Sequence, residues 1–326
     1  MLIPLLALVL GLPTIGYVGQ RAAEARDRRR FPPPGRLVTV HGVGLHVVVE
    51  GTGPVVLIDS GLGGGCLEWE AVAAGLREHA TVVRYDRPGF GWSPAAECDR
   101  SPRAAALRLR GLLEALGVEG PVVLVGHSLG GLHVRLLAQL HPELVRGVVM
   151  VDPSHEDMLD ATPTPAAAKA VESVMRGLSA VAPLGVARAA GWLYAGTVTA
   201  QLRTTLDEAT RERLHRATLL TSCSVGGTRA ATAELTGLAA ALTQVREVTA
   251  AHPMPPVPLV VISAAAPARS DAEAQGRVVM DDLHVKQAAA SPLGRRVLAQ
   301  HSGHLVLLDQ PEVVVSAVLD LLEAAT

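Results

Sequence analysis

The sequence predicts an α/β protein with a mostly parallel central sheet, helices on both faces of that sheet, and a helical cap insertion. Short apolar runs rich in β-branched residues alternate with amphipathic stretches along much of the chain, as in proteins with a parallel sheet. This alternation stops after Asp152 and resumes at Pro258. One apolar run leads directly into Gly126-His127-Ser128-Leu129-Gly130, and a helical pattern follows.

Composition excludes several classes of protein. With 326 residues, the chain is long enough for one large α/β domain with an insertion. Its three cysteines, Cys66, Cys98 and Cys223, are widely separated, which supports neither a disulfide framework nor a zinc site. The formal net charge is −2 at pH 7, and no basic block occurs in the body of the chain. We therefore expect no metal, no cofactor and no nucleic-acid partner.

The N-terminal residues differ from the rest of the chain. No charge occurs from Leu2 to Val18, and five arginines follow between Arg21 and Arg30. About 17 apolar residues is the lower limit for a membrane-spanning helix. Because no positive charge precedes the apolar run, we predict an uncleaved membrane anchor over residues 1–20, with the body facing the cytoplasm. A buried N-terminal segment is the alternative, and residues 21–35, rich in arginine and proline, are predicted to be a linker.

The body begins with strands. Two partly alternating runs around the turn at residues 41–44 predict a β-hairpin. Further buried strands are predicted from short apolar runs at Val55–Asp59, Thr81–Asp86, Pro121–Val125, Val145–Val151, Pro258–Ser263 and Arg296–Ala299. Amphipathic patterns predict the helices between them, at Leu67–His79, Ser101–Leu116, Leu132–Leu140 and Glu312–Ala324. We therefore assign residues 36–153 and 252–326 to the core, and residues 154–251, which lack a convincing buried strand, to the cap.

Ser128 is the candidate nucleophile. It lies in a G-x-S-x-G pattern between a buried strand and a helix, which is the context of a nucleophile elbow. The flanking glycines are needed because the turn is too tight for side chains on either side. Such a turn holds the serine in a strained backbone conformation with its hydroxyl above the sheet.

Four segments in the expected order give the chain a resemblance to the α/β-hydrolase fold superfamily over residues 36–326. Besides the elbow, Val55–Gly65 resembles the third strand and its oxyanion loop, although Ser60-Gly61 stands where His-Gly is usual. Residues 86–93 resemble the D-x-x-G-x-G-x-S segment, and Ser302-Gly303-His304 resembles the terminal histidine loop. The N-terminal region also resembles that of membrane-anchored bacterial hydrolases of this fold.

The resemblance implies a set of site residues. A serine needs an adjacent base, and His304 matches the position of that base, with His301 as its competitor three residues earlier. The backbone N–H groups of Leu62 and Leu129 match the two oxyanion-hole donors. His127, inside the elbow, is interpreted as structural.

Two aspartates compete for the role of the third catalytic residue. Most of the superfamily places the acid after the strand that is Leu259–Ser263 here, which favours Asp271. However, Asp271 lies in a ready helix-capping box. Some members place the acid one strand earlier, where Asp152 follows Val145–Val151. We favour Asp152 and keep Asp271 as the alternative.

The predicted function is that of a serine hydrolase, most plausibly a carboxylic-ester hydrolase with a Ser-His-Asp triad and an acyl-enzyme intermediate. The expected partner is a small-molecule ester or related acyl substrate. Serine at the elbow argues against epoxide hydrolases and haloalkane dehalogenases, which use aspartate there. A perhydrolase, a C–C hydrolase or a peptidase would share these motifs, and a non-catalytic ligand-binding member of the fold is a further alternative.

Overall fold

The described part of the chain contains one eight-stranded sheet. In a computed structural model of the protein, the described residues are 2–160, 165–189, 202–203, 207–221 and 223–323, with side chains described for all of them except 2–10 and 165–168. The strands, in chain order, are β1 (Arg36–Val40), β2 (Val43–Glu50), β3 (Val55–Asp59), β4 (Thr81–Asp86), β5 (Val122–His127), β6 (Val145–Val151), β7 (Leu259–Ala264) and β8 (Gly294–Ala299).

The order of these strands brings the ends of β3 to β7 to one edge of the sheet. Their order is β1-β2-β4-β3-β5-β6-β7-β8. Strand β2 pairs antiparallel with β1 and β4, and every other pair is parallel. In the register, His127 lies opposite Val151, and Val151 lies opposite Ile262. Ser128 and Asp152, the next residues after β5 and β6, therefore leave the same edge side by side.

Helices cover both faces of the sheet. The described helices are α1 (Leu2–Arg30), α2 (Glu70–Leu76), α3 (Pro102–Ala115), α4 (Leu129–Leu140), α5 (Pro165–Val181), α6 (Glu208–Leu220), α7 (Val225–Thr236), α8 (Leu238–Ala251), α9 (Asp271–Ala289), α10 (Val306–Asp309) and α11 (Pro311–Glu323). The predicted α/β-hydrolase architecture, with a mostly parallel sheet between helices, is confirmed.

Two apolar clusters hold the helices against the sheet. Alternate residues of each strand point to opposite faces. Leu57 of β3 therefore packs with α3 and α4, whereas Val56 and Ile58 pack with α2 and α11. Each fully buried aliphatic side chain contributes about 1.5–3 kcal/mol relative to an exposed one. These small side chains form a core that needs few aromatic residues.

Between residues 154 and 251 the described residues form helices α5 to α8, and no strand occurs among them. Proline and glycine residues, such as Pro183, Gly185 and Gly237, lie between helices of this segment. Helices α3 and α4 of the core contact α8. The parts of the predicted cap at 161–164, 190–201, 204–206 and 222 lie outside the described residues.

The N-terminal region differs from its prediction. Helix α1 continues without a break from the predicted anchor through the first ten residues of the predicted linker. Alanine, glutamate and arginine, all strong helix formers, dominate that part of the sequence. Polar side chains of α1 also bind the predicted cap. Gln20 Nε2 donates to Cys223 O at 2.9 Å, and Asp27 pairs with Arg188 at 2.7 Å. Among the described residues, no helix is both long enough and apolar enough to cross a membrane.

Candidate active site

Ser128 lies in the sharp turn between β5 and α4. Its backbone has φ 51° and ψ −116°, a conformation that non-glycine residues rarely adopt. The turn is held by backbone hydrogen bonds, since Ser128 N donates to Val151 O and Ser128 O accepts from Ser154 N, both at 3.1 Å. The strained conformation persists because neighbouring strands and the helix over-determine it. The backbone thus has the form of the predicted elbow.

The two glycines that flank Ser128 by two residues have no room for a side chain. A Cβ on Gly126 would lie 2.4 Å from Gly130 O, and a Cβ on Gly130 would lie 2.5 Å from Asp59 O. Both obstacles are backbone atoms, which cannot rotate away. The glycines of the pattern therefore let β5, α4 and the end of β3 approach closely.

We expect Gly130→Ala to lower the free energy of unfolding by about 1–3 kcal/mol, because the methyl group is forced against backbone oxygens. The matched control is Gly276→Ala inside α9, where nothing lies within 4 Å of the added Cβ. Alanine is the better helix former, so this control should gain about 0.5–1 kcal/mol. Urea unfolding of the two variants checks both values. Equal changes at the two positions would refute the steric explanation of the elbow.

His304 and Asp152 form a close pair beside this turn. Asp152 Oδ2 lies 2.6 Å from His304 Nδ1. Asp152 itself is fixed, since Oδ1 accepts from Ala264 N at 2.9 Å and Asp152 N donates to Ile262 O at 2.7 Å. Its backbone also has a positive φ of 40°. The carboxylate is therefore aimed at His304 by the ends of β6 and β7.

The charges of this pair reinforce each other. Partial burial lowers the pKa of His304, but the hydrogen bond and the negative charge of Asp152 raise it by more, so the pKa lies above its ordinary value of 6.5. Burial raises the pKa of the Asp152 carboxyl, but His304 lowers it by more, so this pKa lies below its ordinary value. Asp152 is therefore ionised at neutral pH and stabilises the protonated form of His304.

The two competing residues lie elsewhere. Asp271 is the exposed first residue of α9, and Ser270 Oγ accepts from Glu273 N in the predicted capping box. His301 is exposed in the turn after β8, where its N–H donates to Gln310 Oε1 at 2.7 Å. The structure thus brings Asp152 and His304 together, and it places Asp271 and His301 apart from this pair.

The two predicted oxyanion donors flank Ser128. Leu129 begins α4, and a first-turn N–H of a helix has no partner inside that helix. Leu62 follows Gly61, whose own added Cβ would lie 3.3 Å from Ser128 Cβ. The loop after β3 thus approaches the serine closely because residue 61 has no side chain. Leu62 and Leu129 therefore each lie next to a residue, Gly61 or Ser128, at which these two segments meet.

Two histidines support the site in ways that the sequence does not indicate. Burial and the charge of His304 lower the pKa of His127 to about 3, so its neutral ring donates from Nε2 to His304 O at 2.9 Å. The rings of His127 and His304 have centroids 4.6 Å apart. His284 Nε2 donates to Pro153 O at 2.9 Å, directly after Asp152. The two buried rings therefore bind the backbone carbonyls of His304 and of the residue after Asp152. In each case the ring and the carbonyl are at least 131 residues apart in sequence.

One group of possible metal ligands occurs among the described residues. Ligand atoms of His46, Cys66 and Asp86 lie within 4.8 Å of one another. However, Asp86 accepts hydrogen bonds from His46 Nδ1 at 2.8 Å and from the backbone N–H of Cys66 at 2.8 Å. Burial and the charge of Asp86 raise the pKa of the Cys66 thiol well above its ordinary value, which disfavours the thiolate that binds metals. These residues serve to hold the loop after β4, and we assign no metal to them.

The chain belongs to the alpha/beta hydrolase fold family, whose model matches residues 54–311. Curated proteins match a shorter part of it. An uncharacterized protein of Mycobacterium bovis is 35% identical over 133 residues, which are 40% of this chain and 39% of that protein. A putative carbamate hydrolase, RutD, of Pseudomonas savastanoi is 37% identical over 110 residues, 33% of this chain and 42% of that protein. The chain therefore spans about two fifths of the length of these relatives.

Solved structures agree with the fold over nearly the whole chain. A thermophilic esterase from Thermogutta terrifontis has a TM-score of 0.65 at 22% identity and covers 89% of this chain and 98% of its own. An enol-lactonase from Burkholderia xenovorans has a TM-score of 0.63 at 23% identity and covers 88% of this chain and 100% of its own. At these identities the similarity establishes the fold alone. Together with the family match and the relatives named as hydrolases, it supports a hydrolase.

Proposed function

We propose that this protein is a serine hydrolase that cleaves carboxylic esters through an acyl-enzyme, with Ser128, His304 and Asp152 as its catalytic triad. The observation that carries the proposal is the position of the Asp152–His304 pair beside the strained elbow of Ser128. The ring of His127, the residue immediately before Ser128, lies against that of His304, which supports this placement. A base, its orienting acid and a nucleophile then occupy one edge of the sheet.

Acylation follows from these positions. Ser128 Oγ attacks the ester carbonyl carbon and gives its proton to His304 Nε2, while the carbonyl π electrons move onto the oxygen. The N–H groups of Leu62 and Leu129 stabilise the resulting oxyanion. When the oxyanion collapses, the C–O bond to the alcohol breaks and the alcohol takes the proton from His304. Asp152 keeps the imidazole in the required tautomer and stabilises its charged form.

Deacylation repeats these steps with water. Water attacks the acyl-enzyme carbonyl, and His304 takes one of its protons. Collapse of the second oxyanion releases the carboxylic acid, and Ser128 recovers its proton from His304. No other reactant is needed.

We also propose that residues 154–251 form the lid and the acyl pocket over this edge. The described helices of this segment carry mainly alanine, leucine and valine on their apolar positions. Aliphatic walls formed by these described helices would favour short or medium acyl chains. Two relatives are named as a putative carbamate hydrolase and a 2-(acetamidomethylene)succinate hydrolase. Carbamates and acetamides both contain a carbonyl group, which supports a carbonyl-directed reaction for this chain.

A panel of p-nitrophenyl esters with acyl chains of rising length tests the proposal. We expect turnover that saturates with substrate and falls as the chain lengthens. A protein that binds these esters without releasing p-nitrophenol would instead be a non-catalytic ligand-binding member of the family. Turnover of a peptide or a C–C substrate but no ester would replace the ester assignment while keeping the triad.

The pH dependence follows from the raised pKa of His304. In the free enzyme His304 must be neutral to accept the serine proton, so kcat/KM should rise with pH through an apparent pKa above 6.5. In Asp152→Asn the raising charge is absent, and the residual activity should rise at lower pH than in the wild type. Initial rates across the pH range, measured with one p-nitrophenyl ester, check both curves. A wild-type profile that is flat across neutral pH would contradict the role of His304.

A further inference from the structure

Arg87 lies directly after β4 and holds the loop that follows β3. It is buried, at 4% exposure. Its Nη1 donates to Ser60 O at 2.6 Å and to Asp59 Oδ1 at 3.0 Å, and its Nη2 donates to Gly61 O at 2.6 Å. One side chain therefore binds three consecutive residues, which are the last residue of β3 and the first two of the loop that leads to Leu62.

The contact with Gly61 O fixes the direction of the Leu62 N–H. The carbonyl of Gly61 and the N–H of Leu62 belong to the same peptide group, which is planar and trans. In a trans peptide the C=O and N–H bonds point in opposite directions. A guanidinium that binds the carbonyl oxygen on one side therefore orients the N–H toward the other side.

The same guanidinium also binds the cap. Arg87 Nε donates to Glu234 Oε1 at 2.9 Å, and Nη2 donates to Glu234 Oε2 at 3.0 Å. Glu234 is buried and belongs to helix α7. The five N–H donors of the guanidinium thus bind five acceptors. Three belong to residues 59–61 of the core, and two are the carboxylate oxygens of Glu234 in the cap. Such a bidentate pair fixes the plane of the guanidinium.

Asp59, the core carboxylate that binds Arg87, is itself held by two further side chains. Its Oδ1 accepts from Tyr85 Oη at 3.0 Å, and its Oδ2 lies 2.7 Å from His133 Nδ1. Burial raises the pKa of Asp59, but the charges of Arg87 and His133 lower it by more, to about 2. The Asp59 carboxylate therefore stays charged at neutral pH, and Arg87 has an ionised partner in the core.

We infer that Arg87 is the positioning residue of the oxyanion loop, and that Glu234 makes the orientation of the Leu62 N–H depend on the seating of cap helix α7. The inference rests on the proposed function. Arg87 does not touch the substrate. It acts through the Gly61–Leu62 peptide, and it connects the position of the cap to the stabilisation of the oxyanion.

Two substitutions test this role. Arg87→Lys leaves one ammonium group for five acceptors, and Glu234→Gln keeps the shape of the cap contact but removes its charge. Loss of one oxyanion donor costs about 10²- to 10³-fold in kcat. Because misalignment removes part of that effect, we expect kcat to fall at least about tenfold in Arg87→Lys and several-fold in Glu234→Gln, with KM nearly unchanged.

The matched control is Glu50→Gln. Glu50 of β2 forms another ion pair with a buried arginine, Arg84, at 3.0 Å. This substitution removes the same charge from the same kind of pair, but that pair binds neither residues 59–61 nor the described part of the cap. We expect Tm to fall in both Glu50→Gln and Glu234→Gln, and the kcat of Glu50→Gln to lie within about twofold of the wild type.

A second readout separates positioning from loss of stability. A trifluoromethyl ketone forms a tetrahedral adduct when Ser128 Oγ adds to its carbonyl carbon, the serine proton moves to His304 and the carbonyl oxygen becomes an oxyanion. Its inhibition constant should rise in Arg87→Lys and Glu234→Gln by the factor by which kcat/KM falls. Inhibition by the product carboxylic acid should not change.

The outcomes distinguish this inference from the proposed function. A wild type that hydrolyses no ester would disprove the proposed function. Equal affinity of the ketone for the wild type and for Ser128→Ala would also disprove it. An active wild type with unchanged kcat in Glu234→Gln and Arg87→Lys would disprove the positioning role alone. Equal losses of kcat in Glu50→Gln and Glu234→Gln, with unchanged affinity for the ketone, would also overturn it.

Discussion

Ser128→Ala is expected to lower kcat for ester hydrolysis by about 10⁴- to 10⁶-fold, the range found when the nucleophile of a serine triad is removed. Without the hydroxyl there is no atom to form the acyl-enzyme, and only the oxyanion donors and substrate binding contribute to the residual rate. The backbone conformation of Ser128 is imposed by its surroundings, and alanine is no larger than serine. We therefore expect the variant to fold like the wild type.

Steady-state kinetics with a short-chain p-nitrophenyl ester measure this effect. Ser291→Ala is the control: this buried serine donates to Val257 O at 2.7 Å and lies at the opposite edge of the sheet. It should lose some stability but keep its kcat. A Ser128→Ala enzyme with substantial turnover, or a Ser291→Ala enzyme with the same loss, would show that the elbow is not the catalytic centre.

Asp152→Asn is expected to lower kcat by about 10⁴-fold, as in other serine triads. The asparagine oxygen can still accept from Ala264 N, so the fold should persist. Its NH₂ group would then face His304 Nδ1, and two donors cannot share a hydrogen bond. The imidazole is driven to the tautomer that carries its proton on Nε2, where it cannot accept the proton of Ser128.

Asp271→Asn is the matched control for this substitution. It removes the same charge from an exposed helix start that has no contact with His304 in the described structure. We expect its kcat to lie within about twofold of the wild type, since surface changes of this kind have small effects. The two variants are compared by kcat and by far-UV circular dichroism. Loss of turnover in Asp271→Asn, with near-normal turnover in Asp152→Asn, would reverse the assignment of the acid.

Local sequence patterns predict most of the sheet. The predicted strands Val55–Asp59, Thr81–Asp86 and Val145–Val151 agree with β3, β4 and β6 at both ends. These runs are short and rich in β-branched residues, and an aspartate lies at or directly after the carboxyl end of each, so their limits are largely set by the local sequence. The elbow at Ser128 is equally local, because it needs only glycines at fixed spacing between a strand and a helix.

Contacts between distant segments could not be predicted in this way. Arg87 and Glu234 are 147 residues apart, and each alone is an ordinary charged residue in a loop or a helix. The choice between Asp152 and Asp271 likewise depends on which carboxylate reaches His304. The distance between these side chains cannot be predicted from the number of residues that separate them in the sequence. The prediction of a membrane anchor rests on the apolar run at the N-terminus alone. It takes no account of the polar side chains of Gln20, Glu24 and Asp27, which bind the cap. Partners for those polar side chains become visible only once the fold brings them together.

Covalent labelling tests the central claim most directly. The wild-type protein is incubated with a fluorophosphonate, and the adduct is located by intact mass spectrometry followed by peptide mapping. The triad predicts one adduct per chain, on the peptide that contains Ser128, absent from Ser128→Ala and formed much more slowly in Asp152→Asn. An unlabelled wild type, or equal labelling of wild type and Ser128→Ala, would contradict the assignment of this protein as a serine hydrolase.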